Sequence, residues 1–494
     1  MKIKISRGPL SLSELASWIG GKLVLHGYDR APAVDSVCTD SREVGPGTLL
    51  CAIRGERVDG HRFLAGACMA GCGSFLCERI PPELSASDAP WAALVVPDTV
   101  AALAPLAAAY RRTYLPSLCA VGVTGSVGKT STKELCADIL SVGAPTYCRE
   151  GNFNSVIGLP LSVMEIDPSC RRAVLEMGMS ARGEISAMTS AVRPDIALIT
   201  NVGSSHLEHL GTRENIARAK LEILEGVRPG GYLLVPGDEP LIDRVLPEVS
   251  RPDVTVWRVS AVRPDVDVFI DRVRLGTADS RFDLTLPDGQ GGRRTLSDLC
   301  VPALGAHIVY NASLAVTAGI LTGINEADIR AGLSLYRPAA LRQAVTRLPE
   351  LTLFEDCYNA APESMRAALD VLGTLAGQAG TGRRVAVLGD MRELGADTVS
   401  MHRRTGAYCA EKGVDILVTV GALGAEIAQG AQAAGMTPDR VTVLYPDGGE
   451  PDPAVIADAA EARLLPGDIV LFKASRALAL ERVSGLLKAR FDRK

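Results

Sequence analysis

No C-x-x-C pair occurs in the 494 residues, and the twelve cysteines are scattered along the chain. The densest group, Cys68, Cys72 and Cys77 in "GACMAGCGSFLC", has no fourth ligand at regular spacing, so a structural zinc site is not supported. It reads instead as a small-residue helix running into a buried strand, with cysteine as a small hydrophobe. Free thiols throughout a large chain predict a reducing, cytoplasmic setting. No uncharged apolar run reaches the ~18 residues of a membrane span. The first residues, MKIKISRGPLSLSELASWIGG, lack the apolar core of a signal peptide. They read as a short strand and then a helix opened by a Ser11-x-x-Glu14 capping box. Neither sign of charge dominates: the net charge is −5 and both signs are well mixed, which leaves no basic footprint for nucleic acid. Repeats of solenoid length and low-complexity tails are missing too.

What is present is ample apolar content, 47% of residues, in a chain too long for one core. At roughly 150 residues per domain, about three domains are predicted. Residues 1–113 alternate short strands and helices, with a turn at Pro46-Gly47, an Ala-rich helix over 99–112 and a linker at Pro116. Residues 114–338 open with the strand "LCAVGVT" and continue through "RAVLEMG", "DIALITNVG" and "GYLLVPGD" with helical segments between, the alternation of a parallel α/β sheet. "FDLTLPDGQGGRRTL" reads as an antiparallel hairpin inserted late in that region. Residues 339–494 repeat the pattern with "RVAVLGD", "DILVTVG", "RVTVLYP" and "DIVLFKAS". The fold class is therefore α/β in three domains. The central one, with the loop of residues 122–134 described next, is expected to be a P-loop-type parallel-sheet ATPase domain, flanked by a small α/β N-terminal domain and a Rossmann-like C-terminal domain.

"GVTGSVGKTSTKE", residues 122–134, joins a strand to a helix. Gly125 and Gly128 permit the tight turn and the presentation of backbone N–H groups. Lys129 can reach terminal phosphates, and the Thr130 hydroxyl can face Mg²⁺. The strict G-x-x-x-x-G-K-[ST] pattern is not met, because its first glycine falls at Val123. What remains is T-G-S-x-G-K-T, Thr124 to Thr130 with Ser126 and Val127 inside it. The alternative of a Ser126-x-x-Lys129 nucleophile lacks the S-D-N and K-T-G partners that chemistry needs.

Phosphoryl transfer also needs metal to offset charge. Glu176 at the end of "AVLEMG" and His206 after "LITNVGSSH" are candidate ligands at neighbouring strand ends. Lys220 is the odd residue. Wound as a helix at about 100° per residue, "NIARAKLEILEGV" places Ile216, Ile223, Leu224 and Val227 on one stripe with Lys220 in its middle. Arg218, Glu222 and Glu225 fall on the other side. Two readings stand: the lysine snorkels along the stripe to water, or burial lowers its pKa so that a neutral amine captures CO₂ as a carbamate.

Taken in order, these segments resemble the Mur ligases, ATP-dependent amide-bond enzymes of peptidoglycan assembly, over nearly the whole chain. "CTDSREVGPGTLLCAIRGERVDGHRF" is similar to that family's uridine-nucleotide-binding domain, with Asp40, Ser41 and Arg42 matching its D-S-R. T-G-S-x-G-K-T matches the family's ATP loop. "EGNFNSVIGLP" resembles G-N-x-N-x-x-I-G-x-P, with Asn152 and Asn154 in the asparagine positions. "ARAKLEI" matches the segment whose lysine is carbamylated, and "EDCYNAAPESMRAAL", "VLGDMRELG" and "FKASR" resemble third-domain signatures.

The resemblance implies a cytoplasmic ligase, expected to be a monomer, that adds D-alanyl-D-alanine to UDP-MurNAc-tripeptide with ATP. It ties the chain to cell-wall biogenesis, cell shape and division. It implies Lys129 and Thr130 on phosphate and Mg²⁺, with Glu176 and His206 as ligands of two Mg²⁺ ions and Lys220 as a CO₂-derived carbamate. The resemblance also implies Asn311 in "GAHIVYNASLAV" beside adenine, and Arg342 and Asp356 as nucleotide contacts from the third domain. Asp40, Ser41, Arg42, Asn152, Asn154, Tyr358 and Asn359 are the implied substrate contacts. Four positions depart from the family pattern. Ile308 stands where G-x-H-N-x-x-N has asparagine, which predicts a lost adenine contact. Ser155 and Val156 replace Asn-Glu, and Ala361 replaces the second asparagine of Y-N-A-N-P. The D-N-P-R signature of the sister ligase that adds diaminopimelate is missing. Competing readings are another ligase on the same scaffold, of the folylpolyglutamate-synthetase type, and a non-catalytic nucleotide-binding protein.

Overall fold

A computed structural model describes residues 1–249, 251–379 and 382–492, in which three large β-sheets follow one another along the chain beside a two-stranded sheet of Leu10–Ser11 and Ala33–Val34. Residues 493 and 494, which close the third region, lie outside the described residues. The first sheet has the order Lys2–Lys4, Ser36–Cys38, Thr48–Cys51, Ser74–Cys77, Trp91–Val95, Lys22–His26, with parallel middle strands and antiparallel edges. Cys68, Cys72 and Cys77 are buried free thiols on the helix Leu64–Met69, the connection after it and the strand Ser74–Cys77. Only half of the expected capping box forms. The Ser11 hydroxyl accepts from Glu14 N–H (3.2 Å), but the Glu14 carboxylate is taken by the Tyr114 hydroxyl (2.6 Å) on the helix Thr99–Tyr114.

That helix does more than connect. Leu103, Leu106 and Tyr110 belong to one apolar cluster with Ile3 and Leu12 of the first region and Leu159, Ile185 and Met188 of the central one. The Tyr110 hydroxyl donates to Ile166 O at 3.3 Å. The first two sheets are therefore fused by a shared core rather than hung on a free linker.

The central sheet has nine strands, ordered Thr146–Cys148, Arg172–Glu176, Cys119–Thr124, Ile196–Ile199, Tyr232–Pro236, Thr255–Ser260, Val268–Leu275, Ser280–Pro287, Arg293–Val301. All neighbours pair in parallel up to Val268–Leu275. The expected hairpin then completes the sheet as its last two antiparallel strands. Cys119–Thr124 lies between Arg172–Glu176 and Ile196–Ile199, so the chain builds outward on both sides of it. That reversal opens a crevice at the carboxyl ends of the strands, where open α/β sheets bind ligands.

The third sheet runs Ala344–Arg347, Thr352–Glu355, Ile469–Lys473, Arg384–Gly389, Ile416–Val420, Val441–Leu444, parallel except for its first edge. Its strands read as near-continuous apolar runs because both faces are covered. Met365, Leu369, Cys409 and Ile427 pack on one side, and Ile456, Val483 and Leu487 on the other. Among the described residues no helix is long and apolar enough to cross a membrane.

Candidate active site

The phosphate loop sits at the crevice. The chain leaves Cys119–Thr124 into Gly125 at φ +152°, where an added Cβ would overlap the Thr200 hydroxyl and stand 3.0 Å from Thr200 Cβ. It enters the helix Lys129–Ser141 through Gly128 at φ +81°, whose Cβ would lie 3.0 Å from the Asn311 amide. Both glycines are thus demanded by backbone conformation and close approach together. The loop is braced from the next strand end. Asn201 Oδ1 accepts from Ser126 N–H (3.1 Å) and Val127 N–H (3.0 Å), and Asn201 Nδ2 donates to Val127 O (2.8 Å). The loop's amides are therefore not all available to a ligand. Those of Ser126 and Val127 are spent on Asn201, and the free donors are the first turn of Lys129–Ser141, which has no side-chain cap. The Lys129 ammonium donates to Gly125 O (2.8 Å) and Ser126 O (3.1 Å). Burial pushes its pKa down, with Glu176 opposing.

A cleft of about 640 Å³ gathers most of the expected residues. Ser126, Val127, Gly128, Lys129 and Thr130 line it from the loop. Asn152, Asn154, Glu176, His206 and Asn311 line it from the rest of the central region, and Arg342, Asp356, Tyr358 and Asn359 from the third. Thr124 and Gly125 lie behind the loop, where the Thr124 hydroxyl donates to Met177 O at 2.8 Å. Glu176 is held between two donors: Thr130 Oγ1 reaches its Oε2 (2.9 Å) and Asn154 Nδ2 its Oε1 (2.7 Å). The hydroxyl and carboxylate oxygens in contact there are the hard donors that Mg²⁺ prefers. His206 adopts the left-handed φ +65°, uncommon for a side-chain-bearing residue. Its Nδ1 is 2.6 Å from Glu393 Oε2 of the third region. Burial pushes its pKa down, with Glu393 opposing. No group of three or more His, Cys, Asp or Glu side chains with metal-site geometry is found among the described residues.

Lys220 does not snorkel. It is 1% exposed within the helix Arg213–Leu221, packed among the apolar residues of its stripe. No hydrogen bond or ion pair to its ammonium is found among the described residues. Burial drives its pKa well below the ordinary lysine range, with the charge of Lys129 adding to the effect and that of Glu363 opposing it. A buried, unpaired amine of depressed basicity fits carbamate formation. Glu222, expected on the solvent side, is also buried. The helix ends at Leu221, and the Glu222 carboxylate instead caps the neighbouring helix Glu184–Val192, accepting from Gly183 N–H at 2.9 Å.

The third region supplies the cleft's other wall. The Lys473 ammonium, 1% exposed, donates to Asp356 Oδ2 (2.6 Å), Asp356 O (3.2 Å) and Asn359 O (3.1 Å), fixing both residues at once. The Arg342 guanidinium stacks 4.2 Å from the centre of the Tyr358 ring. Two contacts across the cleft were not read from sequence. Glu363 Oε1 accepts from both Ser204 N–H and Ser204 Oγ (2.9 Å each), and Glu393 O accepts from Glu208 N–H (3.1 Å). The departing residues are placed as well. Ile308 is buried in the apolar layer over the central sheet rather than along the cleft. Ser155 caps the turn at Gly158 N–H (3.2 Å), Val156 packs against the core shared by the first two sheets, and Ala361 lines the cleft.

Asp40, Ser41 and Arg42 are not brought to this cleft. They follow the strand Ser36–Cys38 of the first sheet, where Arg42 grips the Asp40 carboxylate (2.6 and 2.9 Å) and holds it well below the usual carboxylate range.

Comparison with known proteins covers the same three stretches. Residues 33–111 match the Mur ligase family catalytic domain, residues 123–319 the Mur ligase middle domain, and residues 342–476 the Mur ligase glutamate ligase domain. The UDP-N-acetylmuramoyl-tripeptide–D-alanyl-D-alanine ligase of Bacillus subtilis (strain 168) is 35% identical over 474 residues, 96% of this chain and 97% of that protein. A crystal structure of MurF from Acinetobacter baumannii is 29% identical with a TM-score of 0.84, covering 97% of this chain and 99% of that one. The MurF ligase from Thermotoga maritima in complex with ADP is 26% identical with a TM-score of 0.76, covering 92% of this chain and 98% of that one.

Proposed function

Since the chain belongs to the Mur ligase family, we propose that it joins D-alanyl-D-alanine to UDP-MurNAc-tripeptide, with ATP cleaved to ADP and phosphate. This would be a step of cytoplasmic peptidoglycan precursor synthesis carried out by a monomer. The observation that carries the reading is the convergence on one cleft of the phosphate loop, Glu176 and the third-region residues Arg342, Asp356 and Tyr358.

The reaction runs in three steps. The terminal carboxylate of the tripeptide attacks the γ-phosphorus of ATP, and ADP leaves. The dipeptide amine then attacks the carbonyl carbon of the acyl phosphate, giving a tetrahedral intermediate. That intermediate expels inorganic phosphate, and the amine proton is lost. No protein nucleophile is required, so the chain's work is positioning and charge neutralisation. The first turn of Lys129–Ser141 receives phosphate oxygens on free N–H groups, and Lys129 turns from the loop carbonyls to the transferring phosphoryl. Arg342 and Asp356 address the nucleotide from across the cleft, and Asn311 borders the base. Asn152, Asn154, Tyr358 and Asn359 hold the peptide ends, and Asp40, Ser41 and Arg42 the uridine end. Thr130, Glu176, His206 and a carbamate on Lys220 would hold two Mg²⁺ ions, whose charge offsets that of the polyphosphate. The carbamate forms when the neutral Lys220 nitrogen bonds the carbon of CO₂, one C–O π bond becomes a lone pair and a proton leaves. The product is an anion in place of a buried neutral amine.

The test is ADP release by the purified protein with UDP-MurNAc-tripeptide, with and without D-alanyl-D-alanine. Sustained turnover should need both acceptors. ATP cleavage that ignores the tripeptide would refute the reading, and so would binding of ATP without amide product.

A further inference from the structure

Glu363 is the second residue of the helix Pro362–Ala379, and its carboxylate is divided in use. Oε1 accepts two hydrogen bonds from Ser204 across the cleft. Oε2 is shielded from solvent and has no hydrogen-bond partner. Gly203 packs against the same group so tightly that a Cβ there would stand 2.8 Å from its Cδ. The residue lines the cleft beside Ala361 and Ser364. A carboxylate oxygen stripped of water and left unpaired costs free energy unless something cationic meets it. Lys473 is committed to Asp356 and Asn359, Lys129 to the loop carbonyls, and Lys220, although the charge of Glu363 acts on it, makes no ion pair with this carboxylate among the described residues.

The dipeptide of the proposed reaction arrives as a zwitterion, and its amine end is an ammonium at neutral pH. We infer that the Glu363 carboxylate is the receptor for the ammonium of the incoming dipeptide, holding it in the cleft while Ser204 ties that receptor to the central region. The inference rests on the ligase reading above and gives a role to a residue inside the third-domain segment 355–369. It also gives the closed arrangement a consequence for selectivity, because the carboxylate is held in place only while Glu363 spans the cleft to Ser204.

The test uses the full-length enzyme and two nucleophiles. Hydroxylamine is neutral and traps the acyl phosphate as a hydroxamate, whereas D-alanyl-D-alanine carries an ammonium. In Glu363→Gln the amide oxygen can still accept from Ser204, but the charge is gone. The KM for D-alanyl-D-alanine should rise roughly 10–100-fold. The KM values for ATP and for UDP-MurNAc-tripeptide, and hydroxamate formation, should stay within about twofold. Glu363→Asp keeps the charge on a shorter stem and should show a smaller loss confined to the same substrate, so a poorly folded Gln variant leaves the test standing. Ser204→Ala removes one of the two bonds to Oε1 and should leave the dipeptide KM within about threefold. An unchanged dipeptide KM in both Glu363 variants overturns the assignment. An equal rise in all three KM values does so too, since it marks a mere interdomain brace. A wild-type enzyme that makes no tripeptide-dependent hydroxamate would instead refute the ligase reading itself.

Discussion

Gly125→Ala is the sharpest perturbation the site offers, because two independent costs fall on one methyl group. The residue sits at φ +152°, and an L side chain in such a region costs about 1–3 kcal/mol. The new Cβ would overlap the Thr200 hydroxyl, with Thr200 Cβ at 3.0 Å and Thr200 N at 3.2 Å. Relief by displacement adds about 1–3 kcal/mol of overpacking. Thr200 cannot simply rotate away, because its hydroxyl donates to Val127 O at 2.6 Å and its N–H to Thr124 O at 2.9 Å, both part of the loop's own bracing. The combined cost of roughly 2–6 kcal/mol falls on the cradled state of the loop, which becomes a minor population. Apparent ATP affinity then drops roughly 30-fold to 10⁴-fold. The fold itself should survive, since the loop carries little of the apolar core.

The assay is ATP affinity by calorimetry on Gly125→Ala, Thr200→Ala and the double variant. Thr200→Ala alone forfeits one hydrogen bond, about 1 kcal/mol. In the double variant the overlap with the hydroxyl is gone, so the two changes should be non-additive by at least about 1 kcal/mol, with the double binding ATP better than Gly125→Ala. Binding by Gly125→Ala within about threefold of wild type, or strict additivity, would refute the claim that this contact shapes the cradle.

Lys220→Met, compared with wild type in CO₂-depleted, metal-free buffer, should stabilise the central region by about 1–3 kcal/mol by removing a buried unpaired amine, while abolishing ligation. The sign with pH follows from the depressed folded-state pKa. The unfolded chain binds the extra proton, so the wild-type deficit is largest at low pH. It should close at up to about 1.4 kcal/mol per unit as pH rises toward the ordinary lysine value near 10.4, and a flat difference would mean the amine stays charged when folded. ¹³C NMR after addition of ¹³C-bicarbonate should show a carbamate signal that the Met variant lacks. Lys473→Met strands the Asp356 carboxylate, 15% exposed, without its cation. It should cost the third region about 3–5 kcal/mol and weaken ATP binding, so a variant that melts like wild type with unchanged affinity would refute the coupling.

Much of this was legible from spacing. The T-G-S-x-G-K-T letters fixed a strand, a turn and a helix in order, and the apolar runs of the third region came out as parallel strands because both faces are covered. Lys220 was visible as an anomaly from helical periodicity alone. The pattern could not say whether the lysine reached water, since a snorkelling lysine and a sealed one share the same spacing. What stayed hidden depends on contacts between distant parts of the chain. Asn201 takes the amides of Ser126 and Val127 because two neighbouring strands end at one level. Glu363 and Glu393 reach Ser204 and His206 only because the third sheet packs over the crevice. Glu14 fails its capping box because Tyr114 offers a shorter bond from another helix. None of these has a local signature, since each is settled by which element arrives opposite.

The same contacts bear on how the cleft accepts its ligands. Lys129, Glu176 and His206 each already hold a protein partner, in the loop carbonyls, in Thr130 and Asn154, and in Glu393 respectively. A polyphosphate with its cations would have to exchange these bonds one for one, and such exchanges are nearly neutral in free energy. Net affinity must then come from what the protein cannot satisfy by itself: the uncapped first turn of Lys129–Ser141 and the isolated amine of Lys220. Both lie on the central region, so nucleotide binding should persist when Glu393 is replaced by Gln. Turnover, which needs the third region seated, should fall in that variant. If ATP affinity fell as steeply as turnover, the source of affinity would lie in the contacts across the cleft instead.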